Sequence, residues 1–466
     1  MTALARPVDA LVAEIGSTTT VVSAFDGLRD YPAATPCLVG QGVAPTSVGR
    51  ASEAPHEGPP SPAFVADGDV TIGVNAARAR LEGATGPLAP SLTLATSSAA
   101  GGLRMTVHGL TQRMTAMAAR EAALGAGAVV KYQTAGRLRD HDLHEIEAVE
   151  PNLILLAGGV EGGDCDTVLF NAERLAGLQA RPIVVYAGNS VVCSDARELL
   201  ERAGFRVKLT NNVYPAVDEL DIVPARAVIH DAFEEHITHA PGMERIGEVV
   251  SGRILPTPGA VLIAAERLAE DVGDLVVVDV GGATTDVHSI TDGSPEIAAL
   301  MIEPQPHSKR TVEGDLGTYV SAKHVVEMLA EQERPVRLPP PLPATREEIA
   351  AALTLTHFAA VTGVQRHAGR LAHLYTPTGR QTVARGRDLT ACRLVIGTGG
   401  ALTRLPGGEA VLGDVRAKSG GGERLLPPQD ARFALDRDYI FACCGALFAH
   451  FASDAVIALM RRSAGV

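Results

Sequence analysis

Residues 274–290 read DLVVVDVGGATTDVHSI, and this stretch says more about the fold than any other. Apolar residues at 275–278 and at 280 surround Asp279, which predicts a strand buried on both faces. The turn and the next strand begin with small or hydroxylated residues, among them Gly281, Gly282, Thr284 and Thr285. The N–H groups of such a hairpin tip can approach a phosphate closely, because glycine has no Cβ in the way. Asp279, at the strand end, is placed to hold a hydrated Mg²⁺.

A single turn of this kind also fits an ordinary hairpin, but the chain repeats the pattern. Residues 11–22 read LVAEIGSTTTVV, in which Glu14 and Gly16 precede a run of hydroxyl side chains between two apolar stretches. A different element follows near the end of the chain. There, RLVIGTGGAL at 393–402 predicts a buried strand that leads into a glycine turn and a helix start. Three glycine turns in this order indicate a nucleotide site.

The ordered triple resembles the superfamily of actin, the sugar kinases and the heat-shock chaperones. This resemblance implies a two-lobed α/β ATPase fold, in which the two hairpins clamp the β- and γ-phosphates of ATP from opposite domains. It also implies that the third turn holds the adenosine. The residues placed against the nucleotide are the small and hydroxylated ones of the three turns: Gly16, Ser17, Thr18, Thr19, Gly281, Gly282, Thr284, Thr285, Gly397, Gly399 and Gly400.

For hydrolysis, the water that attacks the γ-phosphoryl group needs positioning and charge stabilisation more than covalent help. We assign Asp279 to the hydrated Mg²⁺ and to the attacking water. Glu14 is its partner on the opposite hairpin and a second contact, through water, to the metal. Asp286 is a further catalytic candidate.

Composition limits the classes of partner. The formal net charge of −13 disfavours nucleic acid, whose recognition needs a basic surface. No apolar run has the ~18 residues of a membrane span, and Asp9 and Glu14 within the first apolar run disfavour a signal peptide. The six cysteines form no CxxC pair, which fits buried free thiols in a reducing cytoplasm. We therefore expect a cytoplasmic protein, and the sequence is compatible with a homo-oligomer.

The length of 466 residues allows two to four domains. We expect an N-terminal lobe over 1–255 and a C-terminal lobe over 256–466. Residues 153–209 alternate short apolar runs with helical ones, which predicts a βαβαβ unit with a parallel sheet. This unit is expected as an insertion in the N-terminal lobe, over about 94–215. Its first turn, GGVEGG at 158–163, lacks the GxGxxG spacing of a dinucleotide site. The unit either grips a partner, with 158–163 as its mobile contact loop, or only completes the sheet of the N-terminal lobe.

Other stretches have competing interpretations or weaker signals. Glu313 and Asp315, within KRTVEGDLG, either face the nucleotide or lie in a solvated loop. The residues at 31–66 are rich in Pro, Gly, Ser and Ala, which predicts irregular surface chain. The apolar residues near the end of the chain predict one final helix over 440–461.

The histidines do not form a predicted metal site. Thr345 and Glu348 make a capping box that predicts a helix start. The histidines expected on the helical stretch that follows are His357, His367 and His373. Their spacings of ten and six residues do not place them on one helix face as metal ligands, so we interpret them as structural.

The match narrows from a superfamily to a family. The segments that carry it occur in the order ATSSAAGGL, ILLAGGVEGG, NNVYP, LPTPGAVL, VVVDVGGATTDVHS, KRTVEGDLG and VIGTGGAL. Together they resemble the GlmL/MutL family, encoded beside glutamate (methylaspartate) mutase and related cobalamin-dependent aminomutases, and unrelated to the mismatch-repair protein MutL. The resemblance implies ATP-dependent maintenance of an adenosylcobalamin-dependent mutase, by a clamp that lets damaged cobalamin leave.

The chain departs from the family pattern at one site residue. The family has Asp in its first hairpin, DIGST, whereas this chain has Glu14. The extra methylene shifts the carboxylate, which predicts slow hydrolysis unless a metal-linked water absorbs the shift.

Two other functions fit the same fold. One is a small-molecule kinase, which would need a general base, for which Asp279 and Asp286 are the candidates. The other is an actin-like structural polymer subunit.

Overall fold

The computed structural model describes residues 5–47, 68–99, 103–237, 240, 242–340, 343–377, 379–416 and 423–466. Most of the stretch expected to be irregular, from residue 48 to 66, lies outside the described residues. The same holds for Gly101 and Gly102 of the ATSSAAGGL segment.

Strands and helices alternate along the chain, which confirms the predicted α/β class. The strands are β1 (Arg6–Ile15), β2 (Thr19–Asp26), β3 (Cys37–Pro45), β4 (Leu88–Ser97), β5 (Arg104–Gly109), β6 (Val129–Ala135), β7 (Leu153–Leu156), β8 (Ile183–Tyr186), β9 (Val207–Leu209), β10 (Ile254–Pro256), β11 (Leu275–Val280), β12 (Thr285–Ile290), β13 (Ser308–Glu313), β14 (Arg370–Thr376), β15 (Gly379–Arg385), β16 (Leu394–Thr398) and β17 (Arg432–Leu435). The helices are α1 (Val70–Thr85), α2 (Thr115–Gly125), α3 (Asp140–Val149), α4 (Asp166–Ala176), α5 (Cys193–Arg202), α6 (Val223–Ile237), α7 (Thr257–Val272), α8 (Pro295–Ala298), α9 (Ala322–Glu331), α10 (Arg346–His367), α11 (Gly400–Thr403), α12 (Gly408–Leu412), α13 (Phe441–Leu447) and α14 (Ser453–Ala464).

The chain folds into two compact units. Unit 1 consists of Met1–Ala44, Ala76–Leu94 and Ala260–Val466, and unit 2 consists of Pro45–Asn75 and Ala95–Gly259. Both predicted phosphate hairpins and the 393–402 turn belong to unit 1, whereas the predicted βαβαβ segment belongs to unit 2. The division into lobes at residue 255 stays a prediction.

The first sheet of unit 1 contains the N-terminal hairpin. Its strands lie in the order β4-β1-β2-β3, and β1 pairs antiparallel with β2 from Ala10↔Phe25 to Ile15↔Thr20. The hairpin predicted over 11–22 is therefore confirmed.

The expectation of irregular chain over 31–66 is wrong at β3. This edge strand contains two glycines and is mostly half-buried, so it shows none of the apolar alternation that marks a strand in sequence.

The second sheet of unit 1 has the order β13-β12-β11-β16-β17. β11 pairs antiparallel with β12 and parallel with β16, so the hairpin predicted at 274–290 is confirmed. Alternate residues of β11, such as Val276 and Val278, pack into a core with Leu355 of α10 and Val325 of α9. The predicted capping box is present at the start of α10, where Thr345 Oγ1 accepts from Glu348 N at 3.2 Å.

Unit 2 contains a five-stranded, fully parallel sheet of order β6-β5-β7-β8-β9. The predicted βαβαβ segment is confirmed as β7-α4-β8-α5-β9. The short apolar runs of β7 and β8 are buried throughout, as expected where helices cover both faces of a parallel sheet. With β5 taken as the first strand, this order is 2-1-3-4-5, a doubly wound arrangement with a switch point between β5 and β7.

The GGVEGG loop after β7, the candidate contact loop, accepts and donates hydrogen bonds on both of its sides. Asn189 Oδ1 accepts from Gly162 N at 3.2 Å, and Asn189 Nδ2 donates to Gly163 O at 3.3 Å. On the other side, Asn212 Nδ2 donates to Gly159 O at 3.0 Å. Side-chain amides from the two following strand ends therefore fix the loop, and sequence periodicity gives no sign of such contacts.

Two expectations near the C-terminus are corrected. His373 does not lie on the helix with His357 and His367, because α10 ends at His367 and His373 belongs to β14. The final helix over 440–461 is in fact two helices, α13 and α14. The chain turns where Phe451 N donates to Leu447 O, and Asp454 in the first turn of α14 favours a new helix start there.

In the described part of the chain, no helix is both long enough and apolar enough to cross a membrane. All six cysteines are free; Cys392, Cys443 and Cys444 are buried, and the other three are half-buried.

A buried ion pair joins β12 and β13. Arg310 Nε donates to Asp286 Oδ1 at 2.7 Å, and Arg310 Nη2 lies 2.5 Å from the same oxygen. The side chains are only 1% and 6% exposed. Removing one member of such a pair leaves the other charge buried without compensation.

Replacement of Arg310 by Met should therefore lower the free energy of unfolding by about 3–5 kcal/mol. Urea denaturation followed by circular dichroism measures this change. Arg393→Met is the matched control, since it removes a pair with Asp430 whose side chains are 64% and 75% exposed. The control should cost no more than about 1 kcal/mol. Equal losses in the two variants would contradict the importance given to the buried pair.

Candidate functional site

The two hairpin turns share one backbone geometry. Gly16 N donates to Thr19 O at 3.0 Å, and Gly281 N donates to Thr284 O at 2.9 Å. A Cβ on Gly16 would lie only 2.8 Å from Thr19 O, so the turn excludes a side chain there. The acid–glycine–hydroxyl pattern of the sequence thus corresponds to two turns of the same construction.

Each turn follows an acid at the same offset, two residues before its glycine. Glu14 lies next to last in β1, opposite Val21 of β2. Asp279 lies next to last in β11, opposite Asp286 of β12. Both acids are therefore held on paired strands rather than on a loop, which fixes their positions relative to the turns.

The tips of the two turns face each other. A Cβ built on Gly282 would lie 3.5 Å from Thr18 Oγ1. No acceptor in the described part of the chain receives the N–H groups at four tip positions, namely Ser17, Thr18, Gly282 and Ala283. Unpaired backbone N–H groups gathered in a turn form an anion-binding arrangement. The structure brings the two turns together, and their binding of phosphate stays a prediction.

The segment 316–321 fixes the second turn. Backbone N–H groups of this segment donate to the carbonyl oxygens of Gly281 and Gly282 at 2.7–3.1 Å, and the donors are Thr318, Tyr319 and Val320. Ser321 Oγ donates to Ala283 O at 2.7 Å. Gly317 packs so closely that a Cβ would lie 2.5 Å from Gly282 O. These contacts engage the carbonyl oxygens of the turn and leave its tip N–H groups to a ligand.

Glu313 and Asp315 are both held by one arginine. Arg366 Nη1 donates to Glu313 Oε2 at 2.8 Å and to Asp315 Oδ1 at 2.7 Å, while Arg366 Nη2 donates to Asp315 Oδ2 at 2.9 Å. These hydrogen bonds and the positive charge lower the pKa of Asp315. These acids fasten the segment that supports the second turn to α10, and which of the two interpretations holds stays open.

A row of polar side chains crosses the second sheet. Asp279 pairs with Asp286 on β12 and with Thr398 on β16. Thr398 Oγ1 in turn donates to Asp436 Oδ2 at 2.9 Å, immediately after β17. Side chains at paired positions of neighbouring strands lie on the same face of a sheet. The row therefore places three carboxylates side by side at the strand ends.

The three carboxylates differ in their partners. Asp286 is held by Arg310 and also accepts from Thr284 Oγ1 at 3.0 Å. Asp436 accepts from four donors at 2.7–3.1 Å, which are Thr398 Oγ1, Ile440 N, Phe441 N and Ser463 Oγ. Asp279 accepts no hydrogen bond from the described residues. Of the three, Asp279 is therefore the carboxylate left for a ligand.

Electrostatics agree with this division. Burial raises the pKa of Asp279 well above its ordinary value, and the neighbouring carboxylates of Asp286, Glu14 and Asp436 raise it further. Burial also raises the pKa of Glu14, to about 7, although the hydrogen bond that Tyr439 Oη donates to Glu14 Oε1 at 2.6 Å opposes the rise. A positive charge placed between the turns would favour the ionised form of both acids and so lower their pKa values.

The third turn lies against Asp279. Gly399 has a φ of +88°, and a Cβ on it would lie 2.5 Å from Asp279 Oδ1 and 2.4 Å from Val280 O. Gly400, the first residue of α11, has no atom within 4 Å of its Cβ position. The first glycine is thus required by packing, and the second borders open space.

Two of the predicted nucleotide residues lie in the support of the site. Gly397 is enclosed, because a Cβ on it would lie 2.9 Å from both Leu412 and Leu435. Thr285 is buried and its hydroxyl donates to Leu316 O at 2.6 Å. Both residues pack against the protein and support the turns, and their contact with a nucleotide stays a prediction.

Sequence reasoning missed Asp436 and Tyr439. Asp436 had a usable signal, since it follows an apolar run, as Glu14 and Asp279 do, and precedes a helix, where Asp is a favoured cap. Tyr439 had none. Its contact with Glu14 joins residues 425 positions apart and follows only from the fold.

The donor set fits a hydrated Mg²⁺. Asp279 has no hydrogen-bond partner among the described residues, and Glu14 has one, so oxygen atoms of both remain for the water shell of an ion. Mg²⁺ commonly binds through one or two carboxylates together with waters and phosphates. A cation would also favour the charged forms of two acids whose pKa values burial has raised. Among the described residues, no group of three or more His, Cys, Asp or Glu side chains is arranged as a direct metal cage.

Matched acid–glycine hairpins with facing tips, and a strand–glycine–helix turn against the second acid, define the actin-like class of α/β folds. The chain belongs to the MutL family, because the family model described as MutL protein matches residues 10–464. It is 36% identical over 398 residues to Protein MutL of Clostridium tetanomorphum. The alignment covers 79% of this chain and 85% of that protein. The resemblance to GlmL/MutL is thereby confirmed.

Solved structures give more distant similarities. The nucleotide-free structure of acetone carboxylase, from a study of ATP-dependent acetone carboxylation, is 11% identical with a TM-score of 0.36, over 95% of this chain and 70% of that chain. The nucleotide-free diol dehydratase-reactivating factor is 11% identical with a TM-score of 0.33, over 94% of this chain and 99% of that chain.

Gly399 offers a test of this geometry. Gly399→Ala should push the Asp279 carboxylate aside and cost about 1–2 kcal/mol of strain at a positive φ. We expect weaker binding of Mg·ADP in calorimetry and a lower melting temperature. Gly413→Ala is the control and should change neither, since its Cβ position is open and its φ is −57°. Identical behaviour of the two variants would contradict the placement of Gly399 against Asp279.

Proposed function

We propose that this protein is an ATP-dependent accessory protein that maintains an adenosylcobalamin-dependent mutase, either glutamate (methylaspartate) mutase or a related aminomutase. One observation carries the nucleotide part of the proposal. Two hairpin turns of the same construction face each other, with tip N–H groups that have no acceptor in the described chain and with an acid behind each turn. Membership in the MutL family supports the partner.

Phosphate binding follows from the two tips. Ser17 and Thr18 on one side, and Gly282 and Ala283 on the other, present N–H groups to a polyphosphate. The hydroxyl of Thr18 lies close enough to the second tip to contact the same phosphate group. The turn at Gly399 and Gly400 would take the nucleoside, at the open start of α11. Because strand pairing already fixes the turns, little order has to be created when the nucleotide binds.

Hydrolysis needs a water placed in line with the γ-phosphoryl group and charge stabilisation around it. Asp279 is the acceptor that orients this water, because its carboxylate has no competing hydrogen bond among the described residues. Glu14 lies on the opposite hairpin, where it narrows the space available to that water. Mg²⁺, held through water by Asp279 and Glu14, would supply neutralising charge to the phosphates.

A small-molecule kinase on the same fold is less well supported. A kinase needs a general base that is free to take the proton of the acceptor hydroxyl. Asp286, one of the two candidates, is already bound by Arg310 and by Thr284. The only other candidate is Asp279, which the hydrolytic mechanism uses for water.

The partner surface is proposed in unit 2, at the carboxyl ends of β7, β8 and β9. Val191 and Val217 are 64% and 66% exposed, although both are apolar. They flank Glu161, whose carboxylate accepts from Ser190 N at 3.2 Å and whose N–H donates to Pro215 O at 2.9 Å. Exposed apolar side chains on a fixed loop cluster are suited to a protein partner. ATP can act on that partner only if the ATP and ADP states bind it with different affinities.

Asp279→Ala tests the mechanism. The variant should still bind Mg·ATP, because the tip N–H groups are unchanged, but its turnover should fall by roughly two orders of magnitude or more. Calorimetry measures binding, and phosphate release in the presence of the mutase measures turnover.

Asp430→Ala, which removes an exposed acid of the same unit, is the matched control and should behave as wild type. Turnover of Asp279→Ala within about a factor of two of wild type would remove Asp279 from the mechanism. Absence of ATP and ADP binding to the wild type would contradict the whole proposal.

The partner surface can be tested by mutase capture with ATP, with ADP and without nucleotide. The wild type should retain different amounts of mutase in the three conditions. The double variant Val191→Asp and Val217→Asp should lose most of this binding, because two charges would replace the apolar contact. Leu338→Asp, at an exposed apolar residue of unit 1, is the control. Equal capture in all nucleotide states would contradict the clamp, and wild-type capture by the double variant would place the surface elsewhere.

A further inference from the structure

The turn between β17 and α13 places a tyrosine on the first acid. Tyr439 Oη donates to Glu14 Oε1 at 2.6 Å. Burial and the adjacent carboxylate raise the pKa of Tyr439 well above its ordinary value, so the phenol keeps its proton and acts as the donor. The second oxygen of Glu14 accepts no hydrogen bond from the described residues. Tyr439 therefore fixes one side of the carboxylate and leaves the other side to a ligand.

Tyr439 adopts a backbone conformation that bulky residues rarely take, with a φ of +52°. Such a conformation persists only where its surroundings determine it, and it is found most often at functional sites. Here Tyr439 N donates to Asp436 O at 2.9 Å, and the Asp436 carboxylate accepts from the N–H groups of Ile440 and Phe441. The turn is thus held from both sides of Tyr439.

The ring of Tyr439 is also held. The guanidinium of Arg404 lies 5.8 Å from the ring centroid, over its face. Arg404 Nη2 donates to Gln41 Oε1 at 2.7 Å, and Gln41 Nε2 donates to Asp438 O at 2.9 Å. The contacts of Arg404 and Gln41 close a ring of interactions around the tyrosine, so its hydroxyl has a defined position.

The length of the side chain at position 14 decides whether this hydrogen bond forms. An Asp there would end one methylene earlier, about 1.5 Å short. A separation of 2.6 Å would then become roughly 4 Å, which is beyond hydrogen-bonding distance. The length of Glu14 therefore matches the position of the Tyr439 hydroxyl.

We infer that Tyr439 is a positioning residue that holds the Glu14 carboxylate for the hydrated metal and the phosphates, and that the length of the Glu14 side chain is what brings this carboxylate to Tyr439. This inference rests on the proposed ATPase function. The sequence predicts that the extra methylene of Glu14 displaces its carboxylate. In this inference the hydrogen bond from Tyr439 holds that carboxylate in place instead.

The test uses the full chain and the variants Tyr439→Phe, Glu14→Asp and their combination. Tyr439→Phe keeps the ring and its contact with Arg404, so the fold should be retained. Its kcat should fall about tenfold to a hundredfold, as for a misplaced reacting group, while KM for ATP changes little. The gain in ADP affinity that Mg²⁺ provides should shrink by about three- to tenfold, the scale of one hydrogen bond.

Glu14→Asp should lower kcat as well, and the double variant should be no worse than Glu14→Asp alone, because both changes remove the same contact. Tyr375→Phe, at a tyrosine that is 82% exposed, is the control and should match wild type. If Tyr439→Phe does not fold, Glu14→Asp still breaks the bond from its other end.

The results of these experiments distinguish the positioning role of Tyr439 from the proposed ATPase function. An active wild type with unchanged kcat and unchanged Mg²⁺ dependence in Tyr439→Phe would overturn the positioning role alone. Faster turnover in Glu14→Asp would overturn it too, because the site would then prefer the shorter acid. A wild type that binds neither ATP nor ADP would overturn the proposed function, and this inference with it.

Discussion

The structure of unit 1 depends on how it accommodates four carboxylates in one region. The carboxylates of Asp286, Glu14 and Asp436 all raise the pKa of Asp279, and the carboxylate of Asp436 raises the pKa of Glu14. A buried carboxylate is costly unless charge or hydrogen bonds compensate it. Arg310 compensates Asp286, and four hydrogen-bond donors compensate Asp436. The two acids with the least compensation are those behind the phosphate turns, which is the pattern expected if a cation and a polyphosphate complete the site.

The two turns are alike, but their supports differ. The first is backed by Glu14 and, through it, by Tyr439 after β17. The second is backed by the segment 316–321, which Arg366 fastens to α10 through Glu313 and Asp315. A phosphate that contacts both tips would therefore act on two separate parts of unit 1. A bound nucleotide would therefore be connected to two parts of unit 1 through contiguous contacts. These contacts couple the nucleotide to a distant site only if they differ between the ATP-bound and ADP-bound states.

The sequence predicted what depends on local pattern. Both hairpins, the strand at 394–398, the parallel segment after residue 153 and the capping box at Thr345 all follow from apolar period, glycine position or cap chemistry. It failed where the contact is distant in the chain. Tyr439 meets Glu14 only through the fold. β3 is a separate case, because its two glycines and its mostly half-buried residues show no strand period. Gly397 was assigned to the nucleotide because a glycine motif does not reveal which of its members are enclosed by leucines.

Unit 2 also has a surface that hydrogen bonds hold in place before any partner binds. In a doubly wound sheet, ligands meet the carboxyl ends of the strands. Three strands of unit 2 end there in polar or glycine-rich loops, and Asn189 and Asn212 bond these loops to one another. Tyr186 Oη adds a bond to Asn189 O at 2.7 Å. A surface that is already ordered loses little entropy when it is covered. The exposed valines at this edge can therefore contribute their full apolar contact to a partner, which a freely moving loop could not do.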